Sequence, residues 1–241
     1  MTIAKDITGG IALWRQIADA IRLDIVGGKL ALGDKLPTEA LMAERFSANR
    51  HTVRRAIAAL ANEGVIEAEQ GRGTFVRSAK RLSYPIGRRT RFSEGLAGQA
   101  RSLHTRHLGD RIENASAAVA TALSKKANAK VVRIEGLSSA DGRPLSRATT
   151  WLPYARFPDF APRLIESRSF TAVFASYGID DYSRSTTRIS ARHADVEETK
   201  LLGLSAGAIL LVSEAVDVDE AGQPISYALA RFPAERMELV V

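Results

Sequence analysis

Apolar residues recur at four-residue steps near the start of the chain: Leu13, Ile17, Ile21 and Ile25 in "IALWRQIADAIRLDIV" (11–26), with Arg15, Asp19 and Arg22 elsewhere on the wheel. That period predicts an amphipathic helix, closed by Gly27-Gly28. In "KLALGDKLP", Gly33-Asp34 and Pro37 signal a turn. Thr38 then caps a short helix, "EALMAERF", expected to bury Leu41, Met42 and Phe46. A third helix starts at the N-cap residue Asn49. Its Val53, Ile57 and Leu60 form the inner stripe, and Arg50, Arg54 and Arg55 point largely away from it.

The period then changes. "EGVIEAEQGRGTFV" holds a helix stop at Gly64, a strand, a tight turn at Gly71-Arg72-Gly73 and a second strand. Three helices sharing a core, followed by a hairpin, predict a winged helix-turn-helix over residues 1–76, with the polar stretch 77–83 as linker. Over 84–241 two similar hairpins are expected, "AKVVRIEGLSSADGRPLSRATTWLP" turning at Asp141-Gly142 and "AILLVSEAVDVDEAGQPISYALARF" turning near Gly222. Between them "SFTAVFASY" is helical in period, "YSRSTTRISARHAD" alternates like a half-exposed strand, and "DVEETKLLG" is an acid-started helix ending at Gly203. The second domain is therefore α+β with a mainly antiparallel sheet.

The chain's 241 residues suit one or two domains, and 45% hydrophobic with 25% charged residues is ordinary globular composition. It has no cysteine, which excludes disulfides, thiolate metal sites and thiol nucleophiles together. The start lacks a long apolar run, and nowhere do eighteen apolar residues follow one another; a cytoplasmic protein without a membrane segment is expected. The net charge of +7 favours an acidic partner, but the excess is spread over both halves and forms no basic tail. His104, His107 and His193 fall in no nucleophile, HExxH, GxxxxGK or metal-ligand pattern, so no catalytic residue, metal or cofactor is expected. Trp151 and Tyr154, beside Pro153, are expected in core and turn.

Residues 36–76, "LPTEALMAERFSANRHTVRRAIAALANEGVIEAEQGRGTFV", closely resemble the DNA-binding domain of the GntR family of bacterial transcription regulators. The rest resembles the UTRA effector domain of the HutC subfamily, whose fold is similar to chorismate lyase. Within it "TRFSEGL" (90–96), "NRHTVRRA" (49–56) and "TRISARHAD" (187–195) look most like PhnF-type regulators of phosphonate uptake and breakdown. A helix N-terminus entering the major groove brings its first two turns to the base edges, where Arg50 and Arg54 sit. The resemblance implies that Arg50, Thr52 and Arg54, with Asn49 and His51 nearby, meet bases or phosphates, and that Thr38 binds phosphate. At the wing, Gly71 allows close approach to a sugar-phosphate rail, Arg72 reaches a minor groove and Gln70 adds a polar contact. A basic helix taken alone is more often a solvated face. Arg55, on the flank of the wheel, is left open between the two roles.

The resemblance further implies a small ligand in the second domain, with a phosphonate or phosphate ester as the leading class. Arg91, Phe92 and Ser93 in one segment, Arg188, Ser190 and Arg192 on one face of a strand, and Tyr227 on a late strand are the expected effector-binding residues. The competing view has these arginines lining an exposed face or paired with Glu94, Asp195 or Glu197. Relatives that bind sugar phosphates carry an Arg-x-Arg pair where this chain has Gly136 and Ser138, and Arg133 could replace it only in another register. The expected whole is a homodimeric repressor of phosphonate genes on a palindromic operator. Alternatives are a regulator answering to a sugar phosphate or amino-acid catabolite, and a chorismate-lyase-like enzyme.

Overall fold

The computed structural model describes residues 12–76, 81–89, 92–204 and 207–241. The chain divides into two compact units, Met1–Lys80 and Arg81–Val241. In the first, α1 (Leu13–Val26), α2 (Glu39–Arg45) and α3 (Arg50–Asn62) precede an antiparallel hairpin of β1 (Ile66–Glu69) and β2 (Gly73–Val76). Ile17, Ile21, Met42, Val53, Ala56, Leu60, Ile66 and Val76 close one core. Two residues expected in it lie outside: Leu13 is 46% and Leu41 56% exposed. Leu13 stands at the first position of α1, and on the short α2 Met42 is the buried residue.

Ion pairs fasten this unit as well. Asp24, 6% exposed, accepts from Arg45 at 2.6 Å and ties α1 to α2. Arg22 joins Asp19 to Glu63, whose carboxylate is buried at the end of α3. Burial works against the Asp24 charge, but bonds from Arg45 and Lys29 outweigh it and hold its pKa below the usual value.

The second unit is built on a six-stranded antiparallel sheet. Its strands are β4 (Leu103–Asn114), β5 (Lys130–Ala140), β6 (Arg143–Pro153), β7 (Tyr182–His193), β8 (Ile209–Asp219) and β9 (Pro224–Pro233), in the order β4-β5-β6-β9-β8-β7. Both predicted hairpins are present, and Asp141 and Gly142, with φ of 49° and 79°, make the two-residue turn of the first. β3 (Leu82–Pro85) pairs in parallel with β10 (Met237–Val240). Leu82 and Ser83, expected in the linker, are thus ladder residues; 77–80, the rest of that stretch but for Arg81, lie outside the described residues.

Register assigns each side chain to a face. In one row Arg188, Glu214, Leu229, Thr149 and Glu135 stand side by side across five strands; one residue along, Thr187, Ala215, Ala228, Thr150 and Ile134 face the other way. The first face carries α5 (Ala117–Ala122) over Val131, Trp151 and Tyr227, and α8 (Val196–Leu202) over Leu137, Leu210 and Val212. The second is covered at one end by α6 (Phe160–Ser167) and α7 (Phe170–Ser176), which pack Phe157, Phe160 and Phe174 on Val132, Ile134 and Leu152. At its other end β3, β10 and α4 (Phe92–Gly95) enclose Tyr84, Leu145 and Phe232.

Candidate functional site

In the first unit the sequence of α3 sets its entry. The Asn49 side chain accepts the Thr52 N–H at 2.8 Å and the Thr52 hydroxyl at 2.9 Å. The Asn49 carbonyl oxygen is therefore engaged in capping, and Thr52 keeps its acceptor lone pairs. Arg50 and His51 are exposed in the first turn, and Arg54 follows one turn later on the same side. Arg54 donates from Nε and Nη2 to the two oxygens of Glu39 at 3.1 and 2.8 Å. Thr38 caps α2, accepting from the Leu41 N–H at 3.3 Å, and Glu39 stands beside it in the first turn. Thr38 thus caps α2 and keeps its hydroxyl proton for another partner, beside a carboxylate already paired with Arg54.

Arg55 is exposed and has a partner on α1. Its guanidinium lies over the Trp14 ring, 4.8 Å from the centroid, and so clasps α3 to α1. Arg55→Ala is expected to lower the stability of this unit by about 0.5–1 kcal/mol while leaving base preference intact. Thermal melting, paired with binding to a series of DNA duplexes, checks both halves of that statement.

The wing turns at Gly71, with φ of 75°, and Arg72 sits exposed at its tip, paired with Glu69 and 5.6 Å from the Phe75 ring centroid. Gly73 has φ of 121°, and a Cβ there would fall 2.5 Å from Cε of Lys35. The lysine stem thus lies against the hairpin root, where Lys35 also bridges to Phe75. Gln70 is exposed beside the turn.

In the second unit the expected effector residues do not form one group. Arg91 lies outside the described residues, as does the side chain of Ser93. Phe92 packs with Tyr84 and Phe232 on the second face, whereas Arg188, Ser190, Arg192 and Tyr227 belong to the first. Arg192 already grips Glu198 through two bonds of 2.7 Å. The Tyr227 hydroxyl donates to Glu214 at 2.7 Å, and burial together with that carboxylate pushes its pKa up to about 12. Arg133 stays on the first face, bonded to Glu135, so it does not replace the missing arginine pair.

What this face contains is an ion-pair net that sequence reasoning missed. Glu198, 1% exposed, accepts from Arg192 and faces Arg231 at 3.2 Å; Arg147 bridges Glu135 and Glu197. Thr149, wholly buried, donates to Glu135 and accepts from Arg231. The Arg192 bond, against the cost of burial, holds the Glu198 pKa at about 2. One signal was legible: Asp195-x-x-Glu198 is a capping box, and both of its bonds are made.

The second face differs. Gly136, Ala148, Ala228 and Ala230, with Ser138, Thr150 and Ser213, form a strip of small side chains between two taller apolar clusters. A side chain at Gly136 would meet only ordinary contacts with Thr105 and Arg106. At the free edge of β7 a cavity of about 230 Å³ is lined by Arg88, Arg89 and Ser183. Among the described residues no group of acidic or histidine side chains could hold a metal ion, and no helix is long and apolar enough to cross a membrane.

A winged helix-turn-helix with a basic helix edge, on the same chain as a separate sheet domain, has the make-up of a DNA-binding transcription regulator. Residues 13–76 match the bacterial regulatory proteins of the gntR family and residues 98–238 the UTRA domain. The chain belongs to the GntR family, with the UTRA domain of its HutC-type members. It is 47% identical to an uncharacterised HTH-type transcriptional regulator of Rhizobium meliloti, over 95% of this chain and 94% of the relative. It is 32% identical to the mannosyl-D-glycerate transport/metabolism system repressor MngR of Escherichia coli, over 66% and 65%. PhnF from Mycobacterium smegmatis has a similar structure, with a TM-score of 0.61 and 27% identity over 91% of this chain and 96% of that one. Regulators of this family bind operator DNA and small-molecule effectors and are not enzymes.

Proposed function

We propose that the chain is a homodimeric repressor of phosphonate uptake and breakdown genes, released from or locked onto a palindromic operator by a small anionic effector. The observation that carries the DNA part is the exposed edge of α3, where Arg50, His51 and Arg54 follow a capped N-terminus beside a hairpin tipped by Arg72. Arg50 and Arg54 are the proposed base readers, with His51 and Gln70 as auxiliary contacts and Arg72 in the minor groove. Two heads related by a twofold axis would read two half-sites. The effector acts by linkage: it binds one arrangement of the heads more tightly than another, and that arrangement differs in DNA affinity.

For the effector, the second face with its strip of small side chains is the proposed seat, and Arg88 and Arg89, which line the cavity at the edge of β7, are the proposed cations for a phosphonate or phosphate group. A second reading, a sugar phosphate, is favoured by the hydroxyls of Ser138, Ser146, Thr150 and Ser213. Calorimetric titration of the full chain with methylphosphonate, inorganic phosphate and glucose 6-phosphate separates the two. Heat from the phosphonate, with a change in DNA affinity on its addition, supports the first reading. Heat from the sugar phosphate alone supports the second, and no heat from any of the three defeats both.

A further inference from the structure

We infer that Glu39 is a positioning residue for base recognition, holding the Arg54 guanidinium side-on so that its outer edge is presented to a single base pair. The inference rests on the proposed contact of Arg54 with a base. Glu39 begins α2 and Arg54 lies in the second turn of α3, so the pair spans the two helices of the helix-turn-helix. The carboxylate occupies Nε and one Nη2 proton. Both Nη1 protons and the second Nη2 proton remain, and they form the end-on fork that matches guanine O6 and N7.

An exposed arginine without such a partner samples many rotamers and must surrender that freedom on binding; one held in advance surrenders less and offers one geometry. Glu39 is itself well placed to do this. Its backbone is fixed by the capped start of α2, and the Arg54 bond, with the nearby charges of Arg50 and His51, keeps the carboxyl ionised below its ordinary pKa. The Arg72–Glu69 pair is different in kind: it lies within one hairpin, three residues apart, and relates no two elements.

The rival account is that Glu39 only masks charge, since exposed ion pairs contribute little to stability. The two accounts differ in what they change. A mask alters affinity for every duplex alike, whereas a positioning residue alters preference at the base pair that Arg54 reads.

The test selects preferred duplexes from a randomised pool with the full chain, then measures binding to the selected duplex and to all its single-base-pair variants by fluorescence anisotropy. Arg54→Ala is expected to flatten preference at one base pair per half-site. Glu39→Ala should reduce preference at that same base pair by about tenfold, within the range of one bidentate contact, and leave other positions and non-specific DNA nearly unchanged. Glu39→Gln, which keeps one acceptor, should fall between, and the double variant should be no worse than Arg54→Ala alone. Circular dichroism and melting verify folding; if Glu39→Ala melts early, Glu39→Gln carries the comparison. Full preference retained by the folded Glu39 variants while Arg54→Ala loses it overturns the positioning role and spares the Arg54 contact. Uniformly tighter binding by Glu39→Ala overturns it in favour of a mask. Unchanged preference at every base pair in Arg54→Ala removes the Arg54 contact and the inference with it.

Discussion

Glu198→Ala is expected to lower the thermal transition of the second unit by about 10 °C, the largest effect of any single substitution considered. The carboxylate lies beneath α8, grips Arg192 and faces Arg231, whose side chain is 12% exposed. Removing it breaks a pair with a buried carboxylate, leaves Arg192 without its two-bond partner and leaves Arg231 with Glu135 as its remaining counter-charge, a loss that costs roughly 3–5 kcal/mol. It also opens one half of the capping box at the start of α8. In a unit of this size each kcal/mol corresponds to about 2–4 °C. The pH dependence has a definite sign. The folded pKa, about 2, lies below the ordinary 4.5, so this contribution is fully present above pH 4.5 and is lost as the pH falls towards 2. The shift corresponds to about 3 kcal/mol. Glu198→Gln should therefore flatten the acid limb of a stability profile, and melting scans between pH 2 and 6 check this. An acid limb identical to that of the native chain would remove Glu198 from the account.

Arg50→Ala and Arg54→Ala are each expected to weaken binding to the preferred duplex by about 10- to 100-fold, and to relax preference at different base pairs. The salt dependence separates base from phosphate contacts. Loss of a phosphate contact reduces the slope of log K against log salt by about one and weakens all duplexes alike. Anisotropy titrations at several salt concentrations therefore assign each arginine. If both variants bind the selected duplex as the native chain does, the reading edge of α3 is not where recognition occurs.

Much of this architecture was legible in the sequence. The stripe of α3, the caps at Thr38, Asn49 and Asp195, the wing and both long hairpins were all signalled by local chemistry: a side-chain oxygen before a helix, or glycine where φ turns positive. What was missed depends on distant partners. β4 has no clean alternation, because it is an edge strand, largely exposed and interrupted by a bulge between His107 and Gly109. The parallel pairing of β3 with β10 joins residues more than 150 positions apart, and no local pattern announces it. Leu13 and Leu41 were assigned inside because period alone does not say which positions of an apolar stripe are covered.

The candidate site was less legible than the fold. Arg188, Ser190 and Arg192 do alternate onto one face, as their spacing requires. Which face that is, and that Glu198 already holds Arg192, depend on the order of strands in the sheet and on where α8 docks. The same limit hid the Glu39–Arg54 pair, whose members are separated by a turn and meet only when α2 crosses α3.

The two faces of the sheet divide labour in a way that bears on how such a domain changes over time. Cohesion is concentrated on the side of Glu198, Arg231 and Glu135, where substitutions are expensive. On the other side the middle positions are glycine, alanine, serine and threonine. Altered side chains at Gly136 or Ala148 would face away from the ion pairs behind them. With the effector on that side, as proposed, a duplicated copy of this gene would be free to change its ligand while the ion pairs that hold the fold stayed as they are.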